Sequence, residues 1–240
     1  MDAPPPSPPD GLSTPSRPGA RCLLRTAALC GLLSGVLLVL VVADWAPLTA
    51  TDRDVADDLH GSAVHSPGWT RTSRILTDWF WDPWTFRALL VAAGLLLLWR
   101  GFRVAALWLL LVTLAGSALQ QGVKFAVGRE RPQWPDPVAT AHYTSFPSGH
   151  AMTAALGCCL LLWLLAAWGV RGRWLRVAVA VAVVSVLGVG FTRLYLGVHW
   201  LSDVLAGWLL GVALAALAVA ALPRCQAVAN RRKVPLSGGE

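Results

Sequence analysis

Six apolar runs of bilayer-crossing length follow one another along this 240-residue chain, separated by hydrophilic stretches. They lie at about Ala27–Ala43, Trp84–Trp99, Val104–Gly122, Ala151–Trp168, Val177–Phe191 and Leu201–Leu222. At 1.5 Å of rise per residue, each comes near the thickness of a hydrocarbon core when helical. The overall balance agrees, with 55% of residues hydrophobic and 14% charged, too apolar for an ordinary soluble domain. The expected fold class is therefore an all-α membrane protein, a six-transmembrane-helix bundle forming one domain over residues 21–222. The second run is short and carries Arg87 near its start, so that guanidinium must snorkel toward water.

Outside the runs, composition shifts. Residues 1–20 hold seven prolines with Ser, Gly and Asp, and are expected to form a disordered cytoplasmic arm. The first run lies too late, and is too long, for the usual apolar region of a cleaved signal peptide, so it is taken as a retained span. Residues 44–83 form a polar outer segment with Asp52, Asp54, Asp57 and Asp58, followed by Trp79, Trp81 and Trp84, which fit an interfacial belt. Residues 223–240 read as a basic cytoplasmic tail.

The net charge of +7 raises the possibility of a nucleic-acid partner, but that needs a basic stripe on a solvated domain. Here the basic residues sit mostly in gaps between apolar runs, where they set topology and meet anionic headgroups. The arm, the Arg100/Arg103 turn, the Arg171–Arg176 turn and the tail together hold 12 basic and 3 acidic residues, against 8 and 10 on the other side. Both termini are accordingly expected in the cytoplasm, in a multi-pass plasma-membrane protein. The end of run three, the start of four, the end of five and the start of six then all face outward. Cys22, Cys30, Cys158, Cys159 and Cys225 lack zinc-ligand spacing and lie in no long outer loop, so they read as small hydrophobes.

Three polar clusters fall at those four outward ends. Lys124 and Arg131 stand seven positions apart, close to two turns if helix continues between them, so both cations can converge on one anion. Arg offers a planar fork for phosphate oxygens and Lys a point charge. Arg129 is read as a headgroup contact. Pro147-Ser148-Gly149-His150 starts the fourth run: Ser148 can cap the helix, Gly149 lets an oxyanion approach free N–H groups, and His150 projects beside it. A plain helix cap explains the first three residues equally well, though not the histidine. Arg193, His199 and Asp203 form the most specific set. His199 and Asp203 are four apart on one helix face, and a carboxylate accepting from Nδ1–H leaves Nε2 free as a nucleophile. An acid within a span costs about 2.5 to 3.5 kcal/mol at the helix centre and less near an end.

Lys124-x6-Arg131-Pro132, Pro147-Ser148-Gly149-His150 and Arg193-x5-His199-x3-Asp203 together resemble the three-part signature of the type-2 phosphatidic acid phosphatase superfamily. The order and internal spacings match; Thr192 stands where the family commonly has Ser. The resemblance implies core helices like those of the vanadium haloperoxidase-type acid phosphatase fold. It also implies a membrane phosphatase acting on a lipid phosphate or diphosphate at the extracytoplasmic face. In that reading His199 is the nucleophile, Asp203 orients it, and His150 acts as general acid and then base. Lys124, Arg131, Arg193, Ser148 and Gly149 clamp the phosphoryl oxygens. No cofactor is implied, because the cations take the place of a metal. His60 and His65, near Asp57 and Asp58, form no tight ligand motif, and His142 and Tyr143 are read as ordinary loop residues. The same residues also suit a phosphotransferase acting on a lipid or sugar acceptor, or a non-catalytic binder of anionic lipid. The sequence carries no sign of oligomeric state.

Overall fold

The computed structural model describes residues 17–231, and its regular elements are all helical. They are α1 (Arg17–Val42), α2 (Ala46–His65), α3 (Pro67–Ile75), a five-residue π turn (Leu76–Phe80), α4 (Pro83–Trp99), α5 (Arg103–Val127), α6 (Gly149–Ala167), α7 (Gly172–Tyr195) and α8 (Leu201–Arg231). Six stretches are long and apolar enough to cross a membrane: α1, the run from α3 through α4, and α5 to α8. Large apolar side chains remain exposed on their outer faces, including Leu32, Val39, Leu95, Leu107 and Val184, as expected where lipid is the solvent.

Several boundaries differ from those drawn on sequence. α1 begins at Arg17, so residues 17–20 of the expected disordered arm are helical, while residues 1–16 lie outside the described residues. Helix also runs through Pro223 to Arg231, past the expected start of the tail at 223. Proline removes one backbone donor, and the rest of a long helix can tolerate that loss. Residues 232–240 lie outside the described residues. The outer segment 44–83 is itself folded: α2 lies on α7 and α8, and α3 on α2 and α7, all at one end of the bundle.

α8 is the central helix, in contact with α1, α2, α5, α6 and α7. α6 packs closely against it, and small residues make that approach possible. A Cβ at Gly207 would stand 2.6 Å from the Ser148 carbonyl oxygen, and one at Gly211 would stand 2.5 Å from that of Met152. Glycines four apart on one face thus let two backbones touch where lipid offers no hydrophobic drive to push helices together. This contact sets the first turn of α6 beside the first turns of α8. At the opposite end, Leu97, Leu109, Leu160, Leu164 and Leu222 fill the core between α4, α5, α6 and α8.

Gly207→Ala places a methyl against a backbone carbonyl that no side-chain rotation can clear, and overpacking of this kind costs about 1–3 kcal/mol. Thermal unfolding in detergent should show a lowered midpoint for this variant, whereas Gly31→Ala, which meets open space inside α1, should not lower it. Equal midpoints for the two variants would contradict the close-packing account.

Candidate active site

Four helix ends and one long loop meet above the α6–α8 contact. α5 supplies Lys124 in its last turn, α6 supplies Gly149 and His150 in its first, α7 supplies Arg193 in its last, and His199 leads into α8 with Asp203 in its opening turn. The loop from 128 to 148 adds Arg131. Lys124, Arg131, Gly149, His150, Arg193 and His199 line one open cleft of about 470 Å³, rimmed by Asp78 and Asp82. The three sequence clusters are thereby brought together at one end of the bundle.

The route by which Arg131 arrives differs from the helical one expected. α5 stops at Val127 because Gly128 turns into the left-handed region (φ 63°), a conformation that only glycine adopts without strain. The chain then continues as an irregular loop in which Arg129 and Arg131 are half-buried and Glu130 is exposed. Arg131 is held by main-chain carbonyls. Its Nε donates to the oxygen of Tyr143 (2.9 Å), Nη2 to those of His142 (3.2 Å) and Thr144 (3.3 Å), and Nη1 to that of Val198. Nη1 also lies 3.2 Å from His199 Nε2. Lys124 Nζ donates to the carbonyls of Thr144 and Ser145. Neither cation pairs with a carboxylate among the described residues, so their charge is left to act on the cleft.

His199 is almost fully buried. Its Nδ1 lies 3.2 Å from Asp203 Oδ2, which also accepts from the Trp200 backbone N–H (3.0 Å). With Nδ1 donating to the carboxylate, Nε2 is the free nitrogen turned toward Arg131 and the cleft. Burial, and then the charges of Arg131, Arg193, Lys124 and Arg129, push the imidazole well below its ordinary pKa of 6.5, so it is neutral at physiological pH. Arg193 is buried at the edge of the cleft, and its Nε, itself buried, has no hydrogen-bond partner among the described residues. Thr192, at the position of the family's serine, donates to the Val189 carbonyl of its own helix (3.0 Å).

At the start of α6, Ser148 caps the helix by accepting from Ala151 N–H (3.5 Å), and its own N–H donates to the Asp203 carbonyl (3.0 Å). A Cβ at Gly149 would meet Gln120 Nε2 at 2.6 Å, so this position admits a close polar neighbour from α5. His150 Nε2 lies 4.0 Å from Asp82 Oδ2. The structure puts Arg87 over the Trp84 ring at 5.0 Å, on the lining of the cleft. His142 and Tyr143 also line it; Tyr143 is 90% exposed. His60 and His65 lie outside it, His60 stacked on Trp134 at 3.9 Å and His65 Nδ1 2.7 Å from the Gly61 carbonyl oxygen.

Arg129 is a correction. It is not a headgroup contact but the centre of a buried charge network, with Nη1 2.7 Å from Asp203 Oδ1 and also 2.7 Å from Ser202 Oγ. Nη2 lies 2.7 Å from Asp52 Oδ2. Asp52 in turn accepts from Ser202 N–H (2.8 Å) and Ser202 Oγ (2.6 Å). Sequence reading passed over Asp52 because it treated 44–83 as a polar segment. A signal was present: Asp52, Ala56, His60 and Ala63 mark one buried face of α2 at helical spacing.

Comparison with known proteins matches residues 105–227 to the model of the PAP2 superfamily. The chain belongs to that superfamily, and it is a multi-pass membrane protein of its all-helical class. Similar proteins include an undecaprenyl-diphosphatase of Sulfolobus acidocaldarius, 39% identical over 28% of this chain and 28% of that protein. Phosphatidylglycerophosphatase B of Bacillus subtilis is 34% identical over 45% of this chain and 53% of that protein. A lipid A 4'-phosphatase of Bacteroides thetaiotaomicron is 29% identical over 67% and 73%. The chain thus spans about a quarter and about half of the first two. The crystal structure of a transmembrane PAP2-type phosphatidylglycerolphosphate phosphatase from Bacillus subtilis shares the fold, with a TM-score of 0.71 at 22% identity, over 88% of this chain and 98% of that one.

The depressed His199 pKa has a consequence for stability. Below pH 6.5 the unfolded imidazole takes a proton that the folded one refuses, so stability falls as pH drops from 6.5 toward the native pKa. The unfolding midpoint in detergent should therefore decline between pH 7 and 5, and less steeply in His199→Gln. An identical slope in that variant would mean that His199 is not held neutral.

Proposed function

We propose that the protein is a phosphatase that removes the terminal phosphate of a lipid phosphate or diphosphate through a phosphohistidine intermediate. One observation carries the reading. His199 Nε2, left unprotonated by the Nδ1–Asp203 contact, faces a cleft whose lining includes Lys124, Arg131, Arg193 and His150.

That geometry supports the following sequence of steps. A phosphoryl group enters between Lys124, Arg131 and Arg193, with Arg193 Nε gaining the acceptor it lacks. The Gly149 N–H, at the positive end of α6, completes the clamp, and Ser148, buried and capping the helix, supports that turn from behind. The lone pair of His199 Nε2 attacks phosphorus, the bond to the lipid oxygen breaks, and that oxygen takes the proton of His150, which stands as an imidazolium beside the bound phosphate anion. The phosphorylated imidazole keeps its Nδ1 proton and carries a positive charge, stabilised by Asp203. Water then gives a proton to His150 and attacks phosphorus, breaking the P–N bond and releasing phosphate. Positioning and charge stabilisation dominate phosphoryl transfer in general, and fixed side-chain cations can supply both without a metal.

Two supports point to a lipid. The related proteins are named for phosphate groups on lipids. α4 and α5, which line the cleft through Trp84, Arg87, Gln120 and Lys124, also form an apolar groove on the lipid-facing surface, bordered by Val91, Leu95, Leu107 and Leu110. The groove begins about 10 Å below the rim at helical rise, within reach of an acyl or prenyl tail. By charge distribution the site faces the extracytoplasmic side and both termini the cytoplasm.

Purified protein with EDTA present should release phosphate from phosphatidate or polyprenyl diphosphate. His199→Ala should abolish release, and His150→Asn should slow it by about 10²–10⁴-fold. Full activity in His199→Ala would refute the assigned nucleophile, and loss of activity with EDTA would refute the metal-free mechanism. For sidedness, a single cysteine replacing Tyr143 in a cysteine-free background should react with a membrane-impermeant maleimide on intact cells. One replacing Arg173 should react only after lysis. The reverse pattern would place the site on the cytoplasmic face.

A further inference from the structure

Arg129 and Asp52 have no part in the steps above, yet they are bonded to the nucleophile's partner by short contacts. The chain runs Asp52 Oδ2 to Arg129 Nη2 (2.7 Å), Arg129 Nη1 to Asp203 Oδ1 (2.7 Å), and Asp203 Oδ2 to His199 Nδ1 (3.2 Å). Asp52 and Asp203 are essentially fully buried, and Arg129 is partly buried, its side chain 14% exposed. Groups of this kind are costly to desolvate, and two carboxylates sharing one guanidinium form an uneven set. An arginine on Asp203 alone would make a neutral pair there, with little charge left for the imidazole. With Asp52 on its other nitrogen, the trio carries one net negative charge.

We propose that Asp52 and Arg129 are positioning residues for His199: Arg129 fixes the Asp203 carboxylate, and Asp52 counters the arginine so that net negative charge remains to balance the phosphorylated imidazolium. The inference rests on His199 being the nucleophile. When Nε2 bonds to phosphorus and the P–O bond to the lipid breaks, the imidazolium gains the one positive charge that the trio lacks. The same Asp52 holds Ser202 through both N–H and Oγ, and an anion at the N-terminal turn of α8 is favoured by the helix dipole. α2, contributed by the outer segment, thus braces the turn between His199 and Asp203.

The test reads the acid limb of kcat/KM for phosphate release from phosphatidate in detergent micelles, which reports ionisations of the free enzyme and is compared between variants on one substrate. The ionisable groups around His199 are Lys124 from α5, Arg129 and Arg131 from the loop, His150 from α6, Arg193 from α7 and Asp203 from α8, with Asp52 of α2 behind Arg129; Asp78 of the π turn, Asp82 and Arg87 at the start of α4 and His142 of the loop line the same cleft. Arg129→Gln leaves two negative charges in the trio, favours protonated His199, and should move the limb up by about half a pH unit or more. Asp52→Asn leaves none and should move it down, and the double variant should return near the parent. Misfolding would not produce opposite shifts. Where Asp52→Asn yields no folded protein, Arg129→Lys should leave the limb in place while Arg129→Gln raises it. Shifts in the same direction, or no shift in Arg129→Gln, would overturn the inference while the parent and the exposed control Asp54→Asn still turn over. Absence of turnover in the parent on every lipid phosphate would overturn the functional reading, and this inference with it.

Discussion

A carboxylate with no exposed surface, Asp203, organises the end of the bundle where the polar residues gather. A buried charge costs several kcal/mol after relaxation unless hydrogen bonds and opposite charge surround it. Arg129, the Trp200 N–H and His199 each meet one of its oxygens, while its main-chain carbonyl accepts from Ser148 at the start of α6. One residue therefore ties the helix that follows His199 to the helix that carries His150. The approach of α6 and α8 through Gly207 and Gly211 makes that tie geometrically possible.

The cations divide by the partners they are given. Arg129 lies between two carboxylates and belongs to the scaffold. Arg131, two residues on, and Lys124 are satisfied by neutral carbonyls of the 142–145 stretch and Val198, which orient them without cancelling their charge. Arg193 retains an unmet buried donor. Three positive groups with free charge beside a neutral imidazole suit an anion, and the difference from Arg129 is one of partners, not residue type.

Much of this was legible in the primary structure. The apolar runs set six spans, because a segment in lipid must satisfy its own backbone and needs a fixed number of residues to cross. The motif spacings put His199 and Asp203 on one face, since four residues make about one helical turn. The segments between the motifs also fixed that all three would fall at the same end. The resemblance carried by those residues agreed with the family match found over 105–227. By contrast, the Lys124–Arg131 pair was expected on a continued helix. The left-handed turn at Gly128 ended that helix, and the loop that follows brought the arginine in from another direction.

The amino-acid order by itself determined the membrane class and the number of spans and marked the candidate site residues, because each depends on local lengths and spacings. Only the tertiary structure decided which of two neighbouring arginines stabilises the scaffold and which faces the cleft. The deciding partner, Asp52, lies 150 residues from Ser202 and 77 from Arg129. Its capture depends on α2 folding down over α8, and no periodicity within the motif records that contact.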